Sequence, residues 1–439
     1  MTKNRKFLAA NAVLAISVSV AAITVVNNAF AGSFALREQS TYSQGASFAG
    51  NATCGDSIQG AFWNPSVITC NDAMAISEGS LSLLFLSTEV DTTAAADILT
   101  KPDSGDIGKF GAVPSSSFSF AYNESVFLGY TVNGPYGLKL GTPANHNGDA
   151  YFRDAEIFSL NATPIVGYKI NDYISVAAGI QIEYFDLTKF SRQATSAAAS
   201  AIGNATNVNL SGDDIGVGFT LGATLKPAEG TEIGIGFRSS IAHSLEGTLV
   251  QSLGGGSTST PISADLDTPE VVTVSLRQKI NDTFTLLGTV EWTNWSRLQI
   301  IPVTTTGGAV VTTFPFSYDD GWFFSLGGEY QYNDKLTLRG GIGWEVSPVG
   351  DDSRSLSLPD DDRLWLSVGT TYKKDDKWSF NAAYTFITAF DTTIDLSPGN
   401  PWFTGAQGLY QADVDATVHI VSVGFQRKFG GGPVYAMPQ

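Results

Sequence analysis

The sequence predicts an all-β chain: a transmembrane antiparallel β-barrel of about fourteen strands with an N-terminal plug, or hatch, inside its lumen. Three observations carry that prediction. Long segments alternate between apolar side chains and small or polar ones. Short turns rich in Asn and Asp recur between them at spacings of roughly 40–60 residues, enough for two long strands and one long loop. The composition fits neither a soluble protein nor a helical membrane protein. Only 15% of the 439 residues are charged and 43% are hydrophobic, yet mean hydropathy is just +0.04. A chain this apolar is not disordered. Only one stretch approaches the ~18 apolar residues of a membrane helix, and it lies at the extreme N-terminus, which excludes a multi-helix transporter. The net charge of −17 excludes a nucleic-acid binder that works by neutralising phosphates.

Residues 1–31 read as a signal peptide. Lys3, Arg5 and Lys6 form a basic start, residues 8–26 are apolar, and Ala29-Phe30-Ala31 is a small-residue cleavage site before Gly32. The apolar stretch exceeds the usual ~7–15 residues, so an uncleaved anchor competes; the cleavage motif favours removal. An exported chain meets an oxidising compartment, and Cys54 and Cys70, its two cysteines, then default to a disulfide. The bond would close a loop of roughly 15 residues, worth about 3 kcal/mol in the chain-entropy account. A metal site is the weaker alternative, because the three histidines, His146, His243 and His419, all lie far along the chain.

Residues 32–71 do not alternate. They carry Gly45, Gly50, Gly55 and Gly60, both cysteines and an Asn64-Pro65 turn. Phe34, Leu36, Phe48, Phe62 and Trp63 need burial, so the segment is expected to plug the barrel; a periplasmic extension is the competing reading.

Residues 72–429 form the expected barrel. Ile174, Val176, Ala178, Ile180, Ile182 and Tyr184 share one strand face, while Gln181 and Glu183 fall on the other. Trp378, Phe380, Ala382, Tyr384 and Phe386 alternate with Ser379, Asn381, Ala383 and Thr385. Alternation alone fits any half-buried sheet; segment length and a polar second face favour a membrane barrel with a polar lumen. Short turns fall at Asn123-Glu124, Asn171-Asp172, Glu229-Gly230, Asn281-Asp282, Asn333-Asp334 and Asp375-Asp376. They pair twelve strands; one strand before and one after complete the count. The stretches 189–213, 248–264 and 391–414 read as long loops, with a short helix over the Ala-rich 194–201. The last strand ends near Phe429, and residues 430–439 are a tail.

One strand is interrupted. Val126, Leu128, Tyr130 and Val132 share a face, and then comes Asn133-Gly134-Pro135-Tyr136-Gly137. Proline cannot donate to a ladder, and such a combination inside a sheet marks a bulge, kink or edge. Lipid tolerates no unpaired backbone, so the segment either ends the strand at the outer rim or kinks inward.

At these residues the chain resembles the outer-membrane long-chain fatty-acid transporters, a family that includes toluene and xylene uptake channels. Residues 32–40, beginning Gly32-Ser33-Phe34, look like that family's mature N-terminus. Asn64-Pro65-Ser66 is similar to its Asn-Pro-Ala motif, with Ser66 in place of Ala. The phrases Glu291-Trp292-Thr293-Asn294-Trp295-Ser296 and residues 358–367 look like family strand signatures. The resemblance implies passive uptake of hydrophobic molecules through a pocket gated by the plug, with Gly32, Ser33, Phe34, Asn64, Pro65 and Ser66 as gating residues. It also implies an inward kink at residues 133–137 that opens a lateral exit. The cysteine pair is not a general feature of that family.

Catalysis is not expected, because no nucleophile and base converge, and there is no Gly-x-Ser-x-Gly elbow and no phosphate loop. No cofactor or metal is expected. The acidic runs Asp351-Asp352 and Asp360-Asp361-Asp362 read as solvated loop charge rather than as a cation site at the lipopolysaccharide surface. A water-filled general porin remains the alternative transport reading. The expected partners are outer-membrane lipid and lipopolysaccharide, a hydrophobic small molecule, and the barrel assembly machinery during insertion. Nucleic acid is not expected, and the barrel is expected to be monomeric.

Overall fold

The structure, a computed structural model, describes residues 33–430 apart from 96–100, 144, 195–205, 254–255 and 391. The signal segment, Gly32, all but the first residue of the 194–201 stretch and residues 431–439 lie outside the described residues.

Counting interrupted strands once, the described residues form a closed antiparallel barrel of fourteen strands. They run β1 Ala75–Ala95, β2 Gly111–Ala121, β3 in two pieces Val126–Asn133 and Gly137–Gly141, β4 Asp154–Lys169, β5 Ile174–Ala194 and β6 Thr206–Ala228. Next come β7 in pieces Thr231–Arg238 and Ala242–Leu253, and β8 in pieces Gly256–Asp267 and Val271–Lys279. Then follow β9, Phe284–Thr293 and Ile300–Thr305, and β10, Val310–Pro315 and Gly321–Asn333. The last four are β11 Leu336–Val346, β12 Arg363–Lys373, β13 Trp378–Ala389 continued by Thr392–Leu396, and β14 Tyr410–Phe429. Closure is the pairing of β1 with β14, from Ala75 opposite Phe429 to Ala95 opposite Tyr410.

The alternation is inside out relative to a soluble sheet. Ile180, Ile182 and Val423 point outward and are exposed, whereas Gln181, Glu183, Asn381 and Thr385 point into the lumen and are buried. All six predicted tight turns lie at one end of the barrel. Five share one device. The side-chain oxygens of Asn123, Asn171, Asn281, Asn333 and Asp375 each accept two backbone N–H groups, two and three residues on. Such side chains mimic a backbone turn, which explains the recurring Asn-Asp phrase. The sixth turn instead uses Gly230 at a φ of +75°.

Two expectations fail at the opposite end. The described residues of 189–213 are strand, with Phe190 to Ala194 paired to Leu210 to Thr206. Most of 248–264 is strand too: Ala242 to Leu253 pair with Asp267 to Gly256. Its polar Ser and Thr suggested a loop, but Leu249 and Ile262 are buried against Val208, Leu210 and Val303. The barrel therefore projects well beyond the length that crosses lipid.

Candidate functional site: a plug, a gap in the wall and an apolar cavity

Residues 33–71 fill the lumen. A short helix, Thr41–Gln44, and two 3-10 turns, Gln59–Phe62 and Pro65–Cys70, are buried along almost their whole length. The Cys54–Cys70 disulfide ties the second half of the plug to itself, with Cα atoms 5.9 Å apart. Bonds to the wall run all round the barrel. Ser47 meets Ser367 of β12 at 2.8 Å, Gly50 N–H donates to Thr289 of β9 at 2.9 Å, and the Ser119 hydroxyl of β2 donates to the Ile68 carbonyl at 2.8 Å. The Tyr42 hydroxyl donates to Glu329 at 2.5 Å. Glu329 is also paired with Arg277 and with Arg339, which stacks on the Tyr42 ring. Several inward glycines mark where plug backbone touches the wall: a Cβ at Gly234 or Gly236 would collide with the Ala52 or Trp63 carbonyl.

The wall itself is incomplete beside the plug. Strands β2 and β3 pair from Ala121 opposite Phe127 to Ser116 opposite Val132. Pairing resumes only at an isolated bridge, Gly108 with Leu140. Between them, residues 109–115 and 133–139 share no ladder. Strand β2 stays paired to β1 through this stretch, and β3 stays on β4 with one extra residue bulged out. The predicted interruption is thus a break within β3, which resumes at Gly137, and not the end of a strand at the rim. Pro114 of β2 stands across from it, so both lips contain a residue with no N–H to give. Reading the sequence one strand at a time missed Pro114.

The plug's first residues cover the gap from inside. Leu36 N–H donates to the Pro135 carbonyl at 2.7 Å, and Gly137 N–H donates to the Phe34 carbonyl at 2.8 Å. Gln39 donates to the Gly134 carbonyl at 2.7 Å and accepts from Asn133 at 3.0 Å, while the Ser115 hydroxyl of β2 donates to the Gln39 carbonyl at 2.8 Å.

Two cavities flank this seal. The first, with an empty volume of about 890 Å³, is almost wholly apolar; Phe34, Ala155, Phe185, Leu245, Ile262 and Phe314 are among its walls. The second, about 650 Å³, lies beside Pro135 and Tyr136 and is lined by Trp63, Trp295, Arg37 and Arg238. Phe34 packs edge-on against Trp295 at 4.8 Å and Tyr136 at 5.8 Å, so one aromatic layer separates the two spaces. Arg37 is paired with Glu291 and Glu345. Buried Arg238 has no carboxylate within salt-bridge distance among the described residues; it donates to the Phe62 carbonyl at 3.1 Å and sits 4.2 Å over that ring.

Glu38, in the sealing segment, is fully buried, and neither carboxylate oxygen meets a donor from another residue. Burial pushes its carboxyl up to about 7, against smaller opposing pulls from Arg37 and Arg363 and a push from Glu345. The seated segment therefore holds a proton that the released segment loses near the ordinary 4.5. Seating weakens as pH rises through that window and levels off above about 7. Protection factors of residues 34–39, with the intrinsic pH dependence of exchange divided out, will fall from pH 5 to 7 and then level off, and Glu38→Gln will flatten that profile. An identical slope in the Gln variant would clear Glu38 of the effect.

The pattern of the family described as "Outer membrane protein transport protein (OMPP1/FadL/TodX)" matches residues 22–429. The chain belongs to this family. Among relatives, it is 23% identical to the "Long-chain fatty acid transport protein" of Escherichia coli (strain K12), over 90% of this chain and 97% of that one. It is 25% identical to the "47 kDa outer membrane protein" of Pasteurella multocida, over 90% and 94%. Among solved structures, a Pseudomonas aeruginosa FadL homologue superposes with a TM-score of 0.82 at 20% identity, covering 91% of this chain and 100% of that one. The Pseudomonas putida toluene transporter TodX gives 0.64 at 16% identity, covering 85% and 94%. Both likenesses establish the fold. As a member of this family the chain is an outer-membrane transport barrel, and the Escherichia coli relative and TodX are named as transporters.

Within this family member the predicted site residues fall into two groups. Phe34 reaches Tyr136, and Ser33 N–H donates to Asp360 at 2.8 Å. Asp360 is buried and paired with Arg363, and Asp361 with Arg354, so that acidic run is not the solvated loop charge expected; its arginine partners sit three and seven residues away. Asn64, Pro65 and Ser66 lie elsewhere, against β6. Asn64 caps the Pro65–Cys70 turn, accepting from Ser66 N–H at 3.1 Å. Its amide donates to Ala52 and Ala223 carbonyls at 2.7 and 3.1 Å. It lines neither cavity above, so any influence on gating runs through plug rigidity. Asn64→Ala strands several buried partners, at about 1–3 kcal/mol. Uptake will fall while barrel abundance, read by heat-modifiable gel mobility, holds; unchanged uptake would leave a turn residue and nothing more.

Proposed function

We propose that this chain carries hydrophobic molecules passively inward, through the apolar cavity and then sideways into the membrane through the β2–β3 gap. The observation that carries the reading is the adjacency of the parts: an apolar cavity, one aromatic layer, and a wall gap closed by a few backbone bonds from residues 34–39. Such a cavity has the apolar lining of a small-molecule site. Movement of the plug's first residues, Ser33 and Phe34 foremost, opens the layer; Asn64-Pro65-Ser66 holds the remainder of the plug still. Unpaired Arg238 favours a carboxylate-bearing alkyl chain, as the names of the fatty-acid relatives suggest, over a plain hydrocarbon such as toluene. The lipid partner is then the membrane that receives the chain.

The test is mass spectrometry of lipids copurified with the barrel, alongside swelling of liposomes that contain it. A reproducible long-chain acid, lost in Arg238→Leu, fits the proposal. Free passage of sugars would replace it with a water-filled porin.

A further inference from the structure

A second seam opens in the wall, between β6 and β7. The two strands pair at Thr220 opposite Arg238 and again at Asp213 opposite Glu246. Between these points, residues 214–219 and 239–245 share no ladder, although β6 remains fully paired to β5. Strand β7 is stepped inward here. The Ile241 side chain covers Gly216 and Gly218 so closely that a Cβ at either would collide with it. The lower lip is held by Ser239, whose N–H donates to the Phe219 carbonyl at 2.9 Å and whose hydroxyl accepts from Phe219 N–H at 2.9 Å. The upper lip is held by His243, 3.1 Å from Asp214 and 3.4 Å from Glu183, which in turn accepts from Asn161 at 2.9 Å.

Outside the seam, Ile215 and Val217 are 66% and 64% exposed on the lipid-facing surface. Inside it, the His243 ring packs on Phe185 at 5.4 Å, and Phe185, Gly212 and Leu245 are walls of the apolar cavity. Lipid-exposed backbone without partners is unstable, and ionisable side chains at membrane depth mark function more often than structure. We infer that this seam is a second side portal into the apolar cavity, stoppered by Ile241, and that it admits uncharged lipophiles dissolved in the outer leaflet. Asp214 and the buried Glu183, bridged by His243, disfavour a carboxylate at its upper lip, while Arg238 at its lower end is turned to the second cavity, so its traffic differs from that of the route at β3. The inference rests on the reading that hydrophobic molecules occupy the cavity.

The test uses the full barrel in vesicles with two photoreactive probes, a diazirine-bearing alkane and a diazirine-bearing long-chain fatty acid, and maps labelled residues by mass spectrometry. The alkane will label Ile241, His243 and Leu245, and Ile241→Ala will raise labelling of Leu245 and Phe185 several-fold. The fatty acid will leave the seam unlabelled. Cavity labelling that ignores Ile241→Ala, or a seam labelled equally by the acid, overturns the portal. If neither probe reaches the cavity from any direction, the uptake reading itself has failed. Because Ile241→Ala leaves every wall ladder in place, gel mobility separates a portal effect from loss of folding.

Discussion

Restoring the missing ladder between β2 and β3 will cut uptake by more than about tenfold while the barrel still folds. The variant is Pro114→Val with Gly134→Thr and Pro135→Val, which returns an N–H to each lip and gives β3 residues that fit a pleated wall. The argument is one of solvent. An alkyl chain released downward into water loses about 0.8 kcal/mol per exposed CH₂, whereas a chain that slips sideways into lipid loses none of it. Each added 1.4 kcal/mol of barrier slows passage about tenfold, so a sealed wall will lower initial uptake by more than about tenfold. Ligand binding in the cavity will persist, because its residues are untouched. The measurement is uptake of a labelled fatty acid by cells with matched barrel abundance. Full transport through a wall shown to be paired, for instance by slowed amide exchange at residues 133–137, would rule out the lateral route.

Filling the apolar cavity will have an effect of similar size through a different step. Ala155 is buried on β4 and faces the void. Ala155→Phe turns a ring into this cavity, so it takes space a ligand would use, at a smaller overpacking penalty than in a filled core. If the ring displaces roughly 100 Å² of ligand contact, affinity falls by about 2.5 kcal/mol, near a hundredfold. Binding of a fluorescent fatty acid to the purified barrel reads this directly. Ala155→Ser, which leaves the space open, will bind nearly as well as the parent. Equal binding by the Phe variant would place the ligand elsewhere.

The barrel was legible because its physics is local. Asn123, Asn171, Asn281, Asn333 and Asp375 announce the tight turns within four residues each, and alternation fixes which face meets lipid. The interruption at Gly134-Pro135 was legible for the same reason. The gap it belongs to was not, since a gap needs two strands and Pro114 looks ordinary alone. The apolar cavity was equally hidden. Its walls come from the far ends of several strands, where 248–264 reads as a loop because Ser and Thr outnumber the Leu249 and Ile262 that are buried there. Buried ion pairs were missed where the partners are distant in sequence: Tyr42, Arg277, Glu329 and Arg339 meet only once the barrel closes. One clue was available and unused. Inward-facing glycines such as Gly234 and Gly236 have no turn to explain them, and a wall without side chains is a wall that something presses against.

The position of Cys54–Cys70 bears on which part of the plug can move. The bond lies at the tight-turn end of the barrel, where Cys70 is half-buried and the neighbouring Asp56 and Asp72 are exposed and paired with Lys373 and Lys428. The loop it closes lies wholly within the plug, so the second half of the plug is cross-linked to itself at the mouth that faces the periplasm. A thiol reagent can meet the bond there without the wall opening. The sealing residues 33–39 lie outside that loop, and their movement leaves the cross-link untouched.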